Sequence, residues 1–113
     1  MSHHLTFKDR QKFIEFKRNT PNFIMKFSAT WCKPCKQIAP FFEGYYEQIK
    51  EYFKLVVIDC DESPDICSAM KVKYFPTFYS FVKGEVCEIL VGADERQLKA
   101  FFMKTIEKLK TPN

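Results

Sequence analysis

Long runs of one kind of residue are missing from this chain of 113 residues. Its 18 basic and 14 acidic residues are interspersed, with a net charge of +4 and no basic run that could follow a phosphate backbone. No apolar stretch approaches the roughly 20 residues of a membrane-spanning helix, and residues 1–16 lack the apolar segment of a signal peptide. We therefore expect no nucleic-acid partner, no membrane association and a cytoplasmic location.

Beyond one pair of cysteines, further cysteines at close metal-ligand spacing are also missing. The two histidines are His3 and His4, and Cys60, Cys67 and Cys87 are singly spaced. Structural zinc sites take four Cys or His ligands, usually from close pairs, so we expect no metal. The odd number of cysteines, five, argues against a closed disulfide framework and, without an export signal, indicates a reducing compartment.

Apolar material, in contrast, is plentiful. Hydrophobic residues make up 46% of the chain and aromatic residues 17%, with 13 phenylalanines. At this length the composition predicts one domain, residues 1–113, whose core needs no metal or disulfide.

Apolar periodicity along the chain alternates between helical and extended spacing. In order, it predicts a helix from a capping box at 6–9 to about 18, a strand at 23–27, a helix at 33–53, a strand at 55–60, a helix at 63–70, a hairpin of strands at 77–82 and 86–91, and a helix capped at 94–97. Strand–helix–strand alternation predicts parallel pairing, and the hairpin adds an antiparallel part. We expect a mixed sheet between helical layers.

Two cysteines, Cys32 and Cys35, lie where a buried strand passes into a helix. Unpaired N–H groups at a helix N-terminus favour an anion, so Cys32 is predicted to be the thiolate nucleophile. Cys35, one turn on and predicted to be deeper and less exposed, would resolve the mixed disulfide, and Pro34 would stiffen the loop. The pattern indicates dithiol–disulfide exchange. A zinc site and a chance pair of buried cysteines are the alternatives.

Several further segments accompany this pair. WCKPC stands at 31–35, a proline inside the predicted helix at Pro40, FPT at 75–77, KGE at 83–85 and VGA at 91–93. This ordered set, which extends over nearly the whole chain, resembles the thioredoxin family, whose usual motif is WCGPC. The resemblance implies the thioredoxin fold, an α/β fold with a central mixed sheet of four to five strands flanked by about four helices.

The resemblance also implies an activity and a substrate surface. It implies a monomeric protein-disulfide reductase that binds no cofactor, acts on disulfide-containing proteins in cellular electron transport, and is regenerated by an NADPH-dependent thioredoxin reductase. Trp31 would shield the nucleophile, and Pro76, in cis, would present backbone groups to an extended substrate. Gly92 would allow close approach of the substrate, and Phe75 would narrow the groove or add an apolar contact. A more oxidising isomerase-type oxidoreductase and a thioredoxin-fold binding module are the alternatives.

Lys26 departs from the family pattern, because thioredoxins usually carry a buried aspartate there, and Val57 stands where many carry that acid's charged partner. A lysine buried alone is unfavourable, and Asp59 is the nearest candidate partner, on the same strand face as Val57. We predict that Asp59 holds Lys26 behind Cys35, where its charge favours the resolving thiolate. A lysine that reaches solvent is the alternative.

Lys33 also departs from the family motif. A cation about 6 Å from the Cys32 sulfur interacts by roughly 0.7 kcal/mol in water. We predict that Lys33 lowers the pKa of Cys32 by about half a unit and makes the couple more oxidising. A solvated lysine without effect is the alternative.

The remaining cysteines resemble the extra cysteines of some eukaryotic thioredoxins. We expect Cys60, Cys67 and Cys87 to be small, buried or inert thiols.

Overall fold

A computed structural model describes residues 4–112 of the protein. The predicted order of elements is confirmed. The four helices are α1 (Arg10–Asn19), α2 (Lys33–Glu47), α3 (Pro64–Ala69) and α4 (Glu95–Lys110), and the four strands are β1 (Phe23–Ser28), β2 (Lys54–Asp59), β3 (Thr77–Val82) and β4 (Glu85–Val91). His3, for which no metal was expected, lies outside the described residues.

The strands form one mixed sheet in the order β2-β1-β3-β4. β1 pairs in parallel with β2 and antiparallel with β3, and β3 pairs antiparallel with β4. In the β1–β2 register, Lys26 lies beside Val57 and Ser28 lies beside Asp59. Leu5 adds a single parallel bridge to Val56 of β2. The predicted mixed sheet with helices on both faces is confirmed.

The hairpin between β3 and β4 turns where it was predicted, at Lys83 and Gly84. Both residues have positive φ, 57° and 86°, which a tight hairpin turn requires and which glycine adopts most readily. The pairing of the two strands shifts register between Ser80 and Phe81. Such an irregularity locally bends and twists the ladder of a sheet.

Side chains of β1 alternate between two hydrophobic cores, one on each face of the sheet. Ile24 packs in the core under α2 and α4, whereas Phe23, Met25 and Phe27 pack in the core under α1 and α3. Because β1 lies in the middle of the sheet and is buried on both faces, its sequence is a nearly continuous apolar run. Lys26 interrupts that run on the α2 face.

The first helix begins later than predicted. The carboxylate of Asp9, not the side chain of Thr6, caps α1 by accepting the backbone N–H groups of Gln11 and Lys12 at 2.8 and 3.4 Å. The predicted capping box at 6–9 is wrong, because the segment around Leu5 runs beside β2 and the helix begins only after Asp9. The N–H of Leu5 donates to a carbonyl of β2 at 2.8 Å.

Helix α2 ends earlier than predicted, at Glu47. Ile49 and Phe53 nevertheless lie in the same core as the helix, since the chain continues through turns in which the N–H of Ile49 donates to the carbonyl of Tyr46 at 2.9 Å. The helical spacing of apolar residues therefore extends beyond the end of α2, which is why the predicted helix was too long. Pro40 lies inside α2, as predicted.

Candidate active site

The cysteine pair lies at the start of α2. Cys32 is the N-cap residue, and its Sγ accepts the backbone N–H of Cys35 at 3.2 Å. Pro34 occupies the first turn, where a missing N–H leaves no helical hydrogen bond unmade. The two Cα atoms are 5.3 Å apart and the sulfurs are joined in a disulfide. A sulfur at this position lies at the positive end of the helix dipole, which favours a thiolate.

The two cysteines are almost equally buried in this oxidised state. Cys32 is 2% exposed and Cys35 is 5% exposed, so the prediction that Cys35 is less exposed is wrong for the disulfide form. Ala29 packs with both cysteines, and the ring of Phe75 packs against the group. The covalent bond draws the two sulfurs into one small apolar cluster.

Four other predicted residues surround this cluster. Trp31 is 68% exposed, and its ring meets the ring of Phe75 edge-on with centroids 5.7 Å apart. The peptide bond between Phe75 and Pro76 is cis, as predicted, and the N–H of Gly92 donates to the carbonyl of Pro76 at 2.9 Å. The structure thus links Trp31, Pro76 and Gly92 to Phe75, the residue that packs against the disulfide.

Gly92 has the backbone and the free space that its predicted role needs. Its φ is 109°, a value that residues with a side chain rarely adopt. A Cβ built at this residue would meet no atom of the surrounding protein within 4 Å. The space beside Gly92 is therefore open to an incoming chain.

Lys26 is partly buried against α2. Its Nζ lies 5.3 Å from the centroid of the Phe42 ring, a cation–π distance. Burial lowers the pKa of Lys26, and the negative charge of Glu43 opposes that shift. Lys26 lines a cavity of about 230 Å³ together with His4, Phe42, Glu43, Tyr46, Glu47, Leu55 and Val57. Neither active-site cysteine lines this cavity, so the amine faces the middle of α2 and not its first turn.

The predicted pair between Lys26 and Asp59 is wrong. Among residues 4–112 the ion pairs are Lys8–Glu62 and Lys50–Glu47. The carboxylate of Asp59 instead accepts the N–H of Asp61 at 2.9 Å and so stabilises the turn after β2. Glu43, which sequence reasoning missed, lines the same cavity as Lys26, and its charge opposes the lowering of the Lys26 pKa.

The family model described as Thioredoxin matches residues 4–104. The chain belongs to the thioredoxin family. It is 40% identical to a thioredoxin H-type of Populus jackii over 100 residues, which is 85% of this chain and 70% of that protein. It is 42% identical to thioredoxin of Homo sapiens over 77 residues, covering 68% of this chain and 72% of that one.

Solved structures agree with this assignment. The oxidised form of mitochondrial thioredoxin 3 from Saccharomyces cerevisiae superposes with a TM-score of 0.79 at 27% identity, covering 88% of this chain and 93% of that one. The protein has the thioredoxin fold and is a thiol–disulfide oxidoreductase of the thioredoxin family. Its Cys32–Cys35 pair fits the active site of that family.

Lys33 is the departure within the family motif itself. It is the first residue of α2, directly after Cys32, and its side chain is exposed. Its charge therefore lies in water rather than in the protein interior.

A second disulfide, between Cys60 and Cys67, was not predicted. The expectation that both are inert thiols is wrong. Cys60 follows β2 and Cys67 lies on the inner side of α3, so the pair forms when the helix folds over the strand end. The only sequence signal was their separation of seven residues, and that separation alone does not predict a disulfide. Across the described chain, which includes all five cysteines, Cys87 is the free thiol.

Within residues 4–112, no group of three or more His, Cys, Asp or Glu side chains is placed to hold a metal ion. None of the helices described between those limits has the length and apolar character needed to cross a membrane.

Proposed function

We propose that the protein reduces disulfides in other proteins with Cys32 as the nucleophile and Cys35 as the resolving thiol. The observation that carries this assignment is the N-cap position of Cys32, whose Sγ accepts a backbone N–H of the first turn. In the reduced protein the same N–H and the helix dipole would stabilise a thiolate at Cys32. Cys35 lies one turn into the helix and lacks that position.

The exchange proceeds in two substitutions at sulfur. The Cys32 thiolate attacks one sulfur of the substrate disulfide, forms a mixed disulfide and releases the other substrate sulfur as a thiolate, which takes up a proton. The Cys35 thiol then loses its proton, and the resulting thiolate attacks the Cys32 sulfur and releases the second substrate sulfur, which is protonated. The substrate gains two electrons and two protons, and the protein is left with the Cys32–Cys35 disulfide that the structure contains.

The substrate surface is proposed to consist of Trp31, Phe75, Pro76 and Gly92. The aromatic rings of Trp31 and Phe75 offer apolar contact beside the disulfide, and Trp31 is largely exposed. Gly92 borders open space and is held to Pro76 by a backbone hydrogen bond. These features fit an extended polypeptide bearing an apolar side chain near its cystine.

Further parts of the proposal rest on family membership. We propose one domain over residues 1–113, a monomeric state, a cytoplasmic location, a role in cellular electron transport, and regeneration by an NADPH-dependent thioredoxin reductase. The match of the Thioredoxin model to residues 4–104 supports the single domain and the reductase. Lys33 is proposed to tune the pKa of Cys32, since it is the residue directly after that cysteine.

Trapping of the mixed disulfide tests the two cysteine roles. With insulin as the disulfide substrate, Cys35→Ser should accumulate a covalent adduct through Cys32 because the resolving thiol is absent. Cys32→Ser, the matched control, should accumulate far less adduct. Non-reducing electrophoresis and peptide mass spectrometry report the adduct and its site. Equal adduct in both variants would contradict the proposed roles, and more adduct in Cys32→Ser would reverse them.

Two glycines with the same backbone requirement test the substrate surface. Gly92 and Gly84 both have positive φ, and a Cβ on either would meet open space. Gly92→Ala should raise KM for insulin while Gly84→Ala, in the distant hairpin turn, should not. A small aromatic disulfide should report little difference between the variants. Equal KM values for insulin would remove Gly92 from the surface.

A further inference from the structure

The disulfide between Cys60 and Cys67 takes no part in the exchange described above. Cys60 is anchored at the end of β2, where its N–H donates to the carbonyl of Ser28 at 3.0 Å. Cys67 is on α3, and the two Cα atoms are 5.8 Å apart, within the usual range of disulfides. The pair is thus a second thiol–disulfide couple on the opposite face of the sheet from α2.

The two sulfurs of this couple differ in access. The side chain of Cys60 is partly exposed, whereas Cys67 is 5% exposed and belongs to the core under α1 and α3. An incoming thiolate must approach in line with the S–S bond at a reachable sulfur. Attack is therefore directed to Cys60, and Cys67 is the leaving sulfur.

A surface cleft opens beside this couple, and its charged lining residues are Lys71 and Lys73. Both lysines are exposed. The turn that carries them is fixed to α3, because the N–H of Val72 donates to the carbonyl of Cys67 at 3.0 Å and the N–H of Lys71 donates to that of Ser68 at 3.0 Å. The backbone that carries the two lysines is thus fixed beside the disulfide, and their positive field at the cleft favours an anionic reactant.

We propose that Cys60–Cys67 is a second redox site and that its cleft accepts a small anionic thiol of the glutathione type. A glutathione thiolate attacks Cys60, forms a mixed disulfide there and releases Cys67 as a thiolate, which takes up a proton. A second glutathione thiolate attacks the glutathione sulfur and releases Cys60, which is protonated in turn. Two glutathione molecules lose two electrons and two protons, and the protein gains both.

The test uses the full chain with Cys32→Ser and Cys35→Ser, which leaves Cys60–Cys67 as the disulfide to be reduced. Reduction by glutathione and by uncharged 2-mercaptoethanol is followed by alkylation and mass spectrometry of the peptide that contains Cys60 and Cys67. Each thiol is compared between this protein and a form that also carries Lys71→Asn and Lys73→Gln. Asparagine is chosen because Lys71 has φ of 59°, which asparagine tolerates. Comparing one thiol across two proteins cancels its intrinsic reactivity.

Loss of the two lysines should slow glutathione by about three- to tenfold at low salt and leave 2-mercaptoethanol within about twofold. Lys104→Gln with Lys108→Gln, a lysine pair on α4, should change neither rate. Equal slowing of both thiols would mean that the lysines act on the fold and not on the reactant, and would overturn the proposal. A disulfide that dithiothreitol reduces but glutathione does not would overturn it as well.

Discussion

The two disulfides of this protein lie beyond the carboxyl ends of neighbouring parallel strands, yet they are built differently. Cys32–Cys35 closes within the first turn of α2, where one sulfur serves as a helix cap. Cys60–Cys67 joins a strand end to a separate helix and caps nothing. The first pair has a position that stabilises a thiolate, while the second has a position that links two elements. Position in the local backbone, rather than the covalent bond, distinguishes the two pairs.

Turnover should separate the two pairs most strongly. Cys32→Ser should lose detectable NADPH-dependent insulin reduction with thioredoxin reductase, because the thiolate proposed to open the substrate disulfide is removed. Cys87→Ser, which removes the free thiol, should keep the wild-type rate. Substantial turnover in Cys32→Ser would show that another cysteine opens the substrate, and the contrast between the pairs would fail.

Stability should depend on the second pair. Replacing both Cys60 and Cys67 by alanine removes a cross-link that spans seven positions, and should lower the free energy of unfolding by about 2 kcal/mol. Denaturant unfolding without reductant measures the change. Cys87→Ala is the matched control and should shift the midpoint much less. An unchanged midpoint in the double variant would show that the link does not restrain the unfolded chain.

Lys26 introduces a charge on the face of the sheet that carries α2. Its pKa is lowered by burial, so the unfolded chain binds that proton more tightly than the folded protein does. The resulting loss in the free energy of unfolding is complete below the lowered pKa and disappears as pH rises toward the ordinary lysine value near 10.4. Lys26→Met should therefore raise the free energy of unfolding by about 1 kcal/mol near neutral pH.

The advantage of Lys26→Met should shrink as pH increases, and unfolding curves at several pH values measure it. Lys26→Arg, which keeps a charge at all these pH values, should show no such relief at high pH. A pH-independent difference between Lys26→Met and the wild type would contradict the buried-charge account. The predicted effect of Lys26 on resolution by Cys35 can be timed in the same variant, where an unchanged rate would contradict it.

Lys33 should have the smallest effect. Lys33→Gly should raise the pKa of Cys32 by about half a unit, because the exposed cation on the next residue along the chain is lost. The redox couple should become correspondingly more reducing. Ultraviolet titration of the thiolate measures the pKa, and Lys36→Gln, one turn further along α2, is the control. Identical titrations of Lys33→Gly and the wild type would leave the lysine without influence on the site.

The same contrast explains what could be predicted from sequence. The Cys32–Cys35 disulfide was predictable because both residues belong to one strand-to-helix junction, whose geometry is local. Cys60–Cys67 was not, since nothing within either segment specifies that α3 lies over the end of β2. The surroundings of Lys26 were missed for a related reason. Strand alternation indicates which face the lysine occupies, but only the packing of α2 decides that Glu43 lines the same cavity.

The helix cap at the start of α1 illustrates the same limit. Thr6 and Asp9 both belong to a sequence that fits a capping box, and propensity alone does not distinguish them. The distant strand β2 decides, because Leu5 forms hydrogen bonds with its outer edge and keeps the preceding chain extended. Elements with strong periodicity, such as α4 and the β3–β4 hairpin, needed no such information and were predicted correctly.

The bridge between Leu5 and Val56 also affects whether this sheet can pair with the sheet of a second molecule. Leu5 accepts the N–H of Val57 and donates to the carbonyl of Leu55, both at 2.8 Å. Those two groups would otherwise be unpaired on an edge strand, where a strand from another molecule could add to them. A short segment of the chain's own backbone occupies the place of such a strand. The Leu5 bridge thus protects this part of β2 from edge-to-edge aggregation. Because it is a single bridge and not a full strand, it does not itself present a new strand edge.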